Sequence, residues 1–349
     1  MCNKINSENK IKVLFILPAL NICGGMESFI MNYYREINKD MFEFDFLVHN
    51  IGEKSYASEI ESMGGKIIKM PPFGIKTLKK IKKLYQEILI RKKYDIVHCN
   101  MANAAFIYLK YAKKYGVPVR ILHSHQDRAA DVFTHAIRNI PLIKAGKKYA
   151  NCNVACSVQA GDYLFGKKEY FIIKNCIDYD RYRFNEGVRK QKRLELGLEG
   201  KTVVGNTGRF CPAKNQLFLI DVFNKYQKLN SNSVLLLIGE GDEEIHLRNK
   251  VEQLGLRDKV IFTGVRDDIN ELLQAMDVFV FPSLFEGLGI SALEAQVSGL
   301  HCLCSLGVPE STGITKLFKR IDLNKGEDIV RTIGNDRLIR VFGVCLDAI

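Results

Sequence analysis

Short apolar runs alternate with stretches of helical periodicity along almost the whole chain, and this alternation limits the fold more than any other feature. In the first half the runs are "KVLFIL" (12–17), "EFDFLV" (43–48), "KIIKM" (66–70), "DIVHCN" (95–100), "RILHS" (120–124) and "CNVACS" (152–157). In the second half they are "TVVGNTG" (202–208), "SVLLLIG" (233–239), "KVIFTG" (259–264), "DVFVFP" (277–282) and "LHCLCS" (300–305). Strands this continuously apolar are covered on both faces, and the helices between them are the crossovers of parallel sheets. Two such series in 349 residues predict two doubly wound α/β domains. The pattern breaks and charge rises over "IIKNCIDYDRYRFNEGVRKQKRLELGL", which puts one domain at 1–178 and the other at 179–349. Ligands of doubly wound sheets bind beyond the carboxyl ends of the strands, so the expected site is a cleft between the domains, lined by residues that follow strands.

Composition narrows the class. With 47% apolar and 26% charged residues and no Trp, the chain reads as a globular protein. The apolar "IKVLFILPAL" is too short for a membrane span and lacks a cleavage site. Ten cysteines form no CxxC pair; the closest, Cys302-x-Cys304 and Cys152-x-x-x-Cys156, lie in apolar runs and read as core residues in a reducing cytosol, with no metal site expected. Residues 1–178 hold 28 Lys and Arg against 16 Asp and Glu, while residues 179–349 hold 23 of each, so the first half carries the whole net charge of +12. A basic half suits an anionic partner such as a membrane surface, a lipid phosphate or a nucleic acid; a generally Lys-rich composition is the plainer reading. No nucleic-acid motif or run of aromatics among the basic residues supports the last of those partners.

Five stretches carry candidate chemistry. Gly24-Gly25, after the first run and opening a helix, lets backbone N–H groups approach a phosphate, or makes a tight strand-to-helix turn. The fingerprints GxGxxG and GxxxxGK[ST] are absent. In "GNTGRFCPAKNQ" (205–216), Arg209 offers a forked donor and Lys214 a point charge, a combination suited to a diphosphate. In "FPSLFEGLGISALEAQVSGL" (281–300), Ser283-x-x-Glu286 matches a capping box, but Gly287 and Gly289 move the predicted helix start to Ile290 and leave Glu286 on a loop. Glu294 then lies on a helix with few other charges, where an unpartnered acid is costly, and both acids suit sugar hydroxyls. His123 and His125 in "ILHSHQDR" share one strand face and read as a metal pair that lacks a third ligand at useful spacing, as hydrogen-bonding or charge-stabilising imidazoles, or as structural ones. Finally, over 75–93 the residues Ile75, Leu78, Ile81, Leu84 and Ile88 recur at helical spacing among eight cations, including Lys79, Lys80, Lys82 and Lys83; this helix either meets an anionic membrane or covers the core with a solvated basic side. The acidic clusters at 177–180 and 241–244 are assigned no metal.

Taken together these residues resemble glycosyltransferase family 4, retaining enzymes of the GT-B fold, in which two Rossmann-like domains face each other. The features that carry the resemblance are Glu286-x7-Glu294, Arg209 and Lys214, Gly24-Gly25, "HSH" at 123–125 and "SLGVPE" at 305–310. "HSHQ", "ACSVQAGDYLFG" and "KNCIDYDRYRFN" are similar to the bacterial branch that builds capsular or exopolysaccharide units on a lipid carrier. The resemblance implies that Arg209 and Lys214 hold the donor diphosphate and stabilise it as it leaves. It further implies that Glu286 contacts the transferred sugar beside the amides from Gly287 through Leu288 and Gly289 to Ile290, that Glu294 binds the ribose, and that His125 lies near the reacting centre. By the same resemblance the Gly24-Gly25 loop would close over the phosphates, and Arg266 in "FTGVRDD" is a further donor-side candidate. The implied activity is transfer from a nucleotide sugar, a UDP-sugar, to a polyprenyl-diphosphate-linked saccharide or other glycan, without a metal or other cofactor, at the inner face of the cell membrane. Cys176 stands where the family has glycine. The ending "RTIGNDRLIRVFGVCLDAI" lacks the long terminal helix of such enzymes, so the C-terminal tail is expected to be truncated or altered. A nucleotide-sugar epimerase of the same fold and a catalytically silent carbohydrate- or lipid-binding homologue are the competing readings.

Overall fold

A computed structural model describes residues 10–22, 25–125, 133–174 and 176–334, with 133–136 as backbone only. The chain divides into two compact units, 1–176 and 177–349.

The first unit contains β1 (Ile11–Ala19), β2 (Phe42–Asn50), β3 (Lys66–Lys69), β4 (Ile96–Cys99), β5 (Val119–Ser124), β6 (Cys152–Ala155) and β7 (Phe171–Ile172) in one sheet of order β3-β2-β1-β4-β5-β6-β7. The second contains β8 (Thr202–Thr207), β9 (Ser233–Ile238), β10 (Val260–Phe262), β11 (Val278–Phe281), β12 (His301–Ser305) and β13 (Phe318–Ile321), ordered β10-β9-β8-β11-β12-β13. All ladders in both sheets are parallel. Counted within each unit the order is 3-2-1-4-5-6, that of the Rossmann fold, with a seventh strand added beside the sixth in the first unit, and the winding reverses between β1 and β4 and again between β8 and β11.

The central strands are mostly apolar because helices cover both faces. Leu14 and Ile16 of β1 join one core layer with Tyr85, Val97, Tyr108 and Leu122. On the opposite face Phe15 stacks with Phe44 and Phe46, and Tyr34 of the helix Gly25–Glu36 meets both of the latter edge-on. In the second unit Leu235 and Leu237 face one layer and Val234, Leu236 and Ile238 the other. The edge strands β7 and β13 were not legible as apolar runs. Phe171 is 70% exposed, and β13 reads "FKRI"; an edge has one neighbour and tolerates charge.

The basic helix differs from its expected extent. It spans Leu78–Arg91, and Ile75 lies outside the stripe in a separate 3₁₀ turn, 82% exposed, where the Thr77 hydroxyl donates to the carbonyls of Pro72 and Gly74. Ile81, Tyr85 and Leu89 bury the inner face, and Lys79, Lys80, Lys82 and Lys83 are all exposed, with the Lys82 ammonium 5.5 Å from the Tyr111 ring centre. The apolar stripe is therefore occupied by the core. Among the described residues no helix is long and apolar enough to cross a membrane. The helix Gly326–Gly334 packs Ile329, Val330 and Ile333 into the second core; the rest of the ending, 335–349, lies outside the described residues.

Candidate active site

In the second unit the loops that leave β8, β11 and β12 are joined through their backbones. Leu284 N–H donates to the Ala213 carbonyl at 2.8 Å and Glu286 N–H to the Gly307 carbonyl at 3.0 Å. The Ser305 hydroxyl donates to the Ser283 carbonyl, and the Thr312 hydroxyl to the Leu288 carbonyl. Asn215, with φ 56° the only non-glycine residue at positive φ among the described residues, turns the β8 loop into the helix Gln216–Leu229 and donates to the Pro282 carbonyl. Beside this loop Gly239 (φ 137°) comes so close to the Gly208 carbonyl that a Cβ there would overlap it.

This framework holds the Lys214 ammonium 2.5 Å from Glu286 Oε1, with side chains 23% and 12% exposed. The Phe281 ring centre lies 4.8 Å from the same ammonium. The pair sits where the winding reverses between β8 and β11. Directly after it Gly289, at φ 78°, starts the helix Ile290–Val297, the start expected from sequence. No side chain caps that helix, and among the described residues the N–H groups of Gly287, Leu288 and Ile290 find no acceptor. Free helix-start amides beside an ammonium form a site for an anion, and the adjoining carboxylate forms a site for hydroxyls.

Glu294, on the same helix, has a different partner. It is 9% exposed, and the Tyr182 hydroxyl donates to its Oε1 at 2.9 Å. Burial pushes its pKa up to about 7, against the opposing pull of Tyr182 and of the Arg181 charge. Arg209 is exposed and pairs with Asp242 at 3.3 Å, a contact of little strength that leaves it available to a ligand. Arg266 is more firmly engaged. It makes two bonds to Asp268 at 2.7 and 2.6 Å and approaches Glu195 at 3.8 Å, while Lys192 meets Asp268 at 2.7 Å. Its partners are thus the acids that tie the helix Glu186–Glu195 to the loop after β10, and none is a donor-side candidate. Among the described residues no three His, Cys, Asp or Glu side chains are grouped to hold a metal ion.

In the first unit Gly24 lies outside the described residues, and Gly25 is the first residue of the helix Gly25–Glu36. In its first turn Glu27 is 7% exposed, and burial pushes its pKa up to about 7 despite a bond from its own amide. At the ends of β4 and β5 the imidazoles gather. His98 Nε2 lies 3.0 Å from His123 Nδ1, and the His123 and His125 rings are 4.0 Å apart, on one face as their spacing predicted. Burial lowers all three pKa values, His98 and His125 to about 3. His125 Nε2 is 2.8 Å from Asn100 Oδ1, while Asn100 Nδ2 lies 3.4 Å from the carbonyls of Ile16 and His98. With the amide so oriented, His125 Nε2 carries the proton and Nδ1 is left as an acceptor. An imidazole held neutral in this way acts by hydrogen bonding rather than by charge.

The family model for glycosyl transferases group 1 matches residues 188–319, and that for Glycosyltransferase Family 4 matches 23–181. EpsF of Bacillus subtilis is 31% identical over 354 aligned residues, spanning 97% of this chain and 91% of its own. The chain belongs to glycosyltransferase family 4. Another relative of this glycosyltransferase is the UDP-Gal:alpha-D-GlcNAc-diphosphoundecaprenol alpha-1,3-galactosyltransferase of Escherichia coli, 30% identical over 66% of this chain and 62% of its own. Among solved structures, Anabaena Alr3699/HepE in complex with UDP and glucose superposes with a TM-score of 0.77 at 19% identity, covering 93% of this chain and 90% of that one. The latter likeness is one of fold, GT-B. The glycosyltransferase also holds residues that the sequence reading passed over: His98, Asn100, Glu27 and Tyr182. A signal existed for two of them, since His98-x-Asn100 ends β4 with the same spacing as His123-x-His125 at the end of its neighbour β5.

Proposed function

We propose that this glycosyltransferase moves a sugar from a UDP-sugar, with retention of anomeric configuration, to a saccharide carried on a polyprenyl diphosphate during assembly of a bacterial surface polysaccharide. The observation that carries the reading is the Lys214–Glu286 pair beside the uncapped start of Ile290–Val297. A departing nucleoside diphosphate gains negative charge, and Lys214, Arg209 and the helix-start amides are the groups that meet it, without a metal. In the free protein Glu286 neutralises Lys214. On donor binding the diphosphate takes over the ammonium and Glu286 turns to hydroxyls of the transferred sugar. Glu294 reads the ribose at the other end of the donor, and His125, neutral, supplies a hydrogen bond on the sugar side.

The second unit thus takes the donor, and the basic first unit faces the acceptor and the inner surface of the membrane. The UDP-sugar and lipid-diphosphate acceptor named for the Escherichia coli relative, and the UDP and glucose held by the Anabaena protein, support this choice of substrates. Exposed Lys79, Lys80, Lys82 and Lys83 support the membrane side of it.

The test is calorimetric titration of the full chain with UDP, GDP and ADP, followed by a panel of UDP-sugars with a synthetic polyprenyl-diphosphate saccharide, product configuration being read by NMR. UDP binding and an α-linked product from an α-linked donor, insensitive to EDTA, are expected. A folded protein that binds none of the nucleotides would overturn the reading in favour of a silent homologue, and isomerisation of the donor without an acceptor would favour an epimerase.

A further inference from the structure

The residues that open the second unit are fastened to it at several points. Asp178 caps a four-residue helix, Tyr179–Tyr182, by accepting from Arg181 N–H. The Tyr182 carbonyl accepts from Gln274 Nε2 at 3.2 Å and from the Ser298 hydroxyl at 2.9 Å. Ser298 ends the helix that carries Glu294 and also donates to the Glu294 carbonyl. The Tyr182 ring packs against the core layer around Leu272, Ala292 and Ala295. Backbone and ring are therefore fixed without the phenol oxygen, and a phenylalanine would fill the same space.

The hydroxyl itself donates to Glu294 Oε1. The other carboxylate oxygen, Oε2, takes no hydrogen bond among the described residues, and it is not sealed in the core either. A carboxylate with one oxygen tied and the other open cannot rotate freely about its last bond, and it presents one acceptor in a fixed direction.

We propose that Tyr182 is a positioning residue: its hydroxyl occupies one oxygen of Glu294 so that the other is aimed at the ribose diol, which makes the donor site selective for ribonucleotides over deoxyribonucleotides. This rests on the reading of Glu294 given above. It adds a residue from the segment between the two sheets to the nucleotide site, and it assigns that residue a substrate-selecting task.

The experiment compares UDP with 2′,3′-dideoxy-UDP by calorimetry on the full chain and on Tyr182→Phe, with thermal unfolding followed for both. The unaltered protein is expected to prefer UDP by about tenfold or more. Tyr182→Phe should keep its affinity for the dideoxy nucleotide and lose most of that preference. Equal weakening of both nucleotides, or an unchanged preference, would overturn the proposal and leave Tyr182 a packing residue. No preference in the unaltered protein would instead remove Glu294 from the ribose, and the proposal with it. A second measurement needs no variant: the Tyr182 Cζ resonance should move on adding UDP and stay in place with dideoxy-UDP, and an equal response to both would likewise count against the assignment.

Discussion

At the ends of β4 and β5 in the first sheet the protein gathers imidazoles that burial keeps neutral; in the second sheet, where the winding reverses between β8 and β11, it holds an ammonium against a carboxylate at 2.5 Å. The strand order is shared, and so are the apolar strands and the loops that carry these groups. The difference lies in solvation. The Phe15 ring lies 5.0 Å from the His98 ring and the Phe29 ring 5.3 Å from that of His125, apolar neighbours that offer no counter-charge. Lys214 and Glu286 keep partial access to water and compensate each other. One fold thus provides a neutral hydrogen-bonding surface and a charged one, and in the proposed reaction only the second must respond to charge that develops on a diphosphate.

The largest effect should come from breaking the charged side. Lys214→Ala is expected to weaken UDP by about 10- to 100-fold and to lower transfer by about 100- to 1,000-fold, measured by calorimetry and by initial rates. Glu286→Gln should lower transfer with a much smaller effect on UDP. Equal losses for both variants in both assays would remove the division of labour between diphosphate and sugar.

A pH contrast sharpens the same comparison. An imidazole whose folded pKa is about 3, against an ordinary 6.5, binds fewer protons folded than unfolded, so stability falls as pH drops below 6.5. At pH 5 this amounts to roughly 2 kcal/mol for each of His98 and His125. Glu27 and Glu294, raised from 4.5 to about 7, act in the opposite sense and return roughly 2 kcal/mol each as pH falls from 7 to 5. Among the described residues the first unit holds four imidazoles lowered by burial, His49, His98, His123 and His125, against one raised acid, Glu27, whereas the second holds the raised acid Glu294 and no lowered imidazole, so acid should loosen the first and tighten the second. Hydrogen exchange at pH 7 and pH 5, corrected for intrinsic rates, should show protection falling over β4 and β5 and rising over Ile290–Val297. A uniform change across both units would contradict the pKa assignments.

How much of this was legible in the sequence follows from what each feature depends on. Apolar runs reflect burial on two faces, so the central strands and the apolar edges β3 and β10 could be read directly, whereas β7 is two exposed residues and β13 reads "FKRI", and neither carries such a run. The helix start at Ile290 was readable because Gly287 and Gly289 are poor helix formers and Gly289 tolerates its positive φ. The meeting of Lys214 with Glu286, 72 positions apart, depends on two adjacent strands ending at the same level, which local pattern does not encode. Tyr182 was invisible for the same reason. Its spacing from Glu294 carries no periodicity, and only the docking of its short helix brings the two together.

Glu294→Gln tests the buried acid of the second unit. At pH 8 a carboxyl with a folded pKa of about 7 has ionised against its burial, at a cost of about 3 kcal/mol relative to an ordinary glutamate. Glutamine removes that cost and can still accept from the Tyr182 hydroxyl. The variant should therefore be more stable by about this amount in denaturant unfolding at pH 8, with the gain disappearing near pH 4.5, while UDP affinity falls. A stability loss at pH 8 would mean that the carboxylate is held by contacts stronger than the one from Tyr182.

The smallest effect is expected on the neutral side. His125→Ala removes one hydrogen bond from an uncharged imidazole, so transfer should fall by about tenfold while UDP affinity stays within about twofold. Because His125 gains no proton above pH 5, the ratio of unaltered to variant rates should be constant from pH 8 to 5.5. A ratio that changes with a midpoint near 6.5 would show an imidazole that charges in the working range. In that case the first unit would contribute a cation after all, and the contrast between the two units would reduce to a difference in sign of charge rather than in its presence.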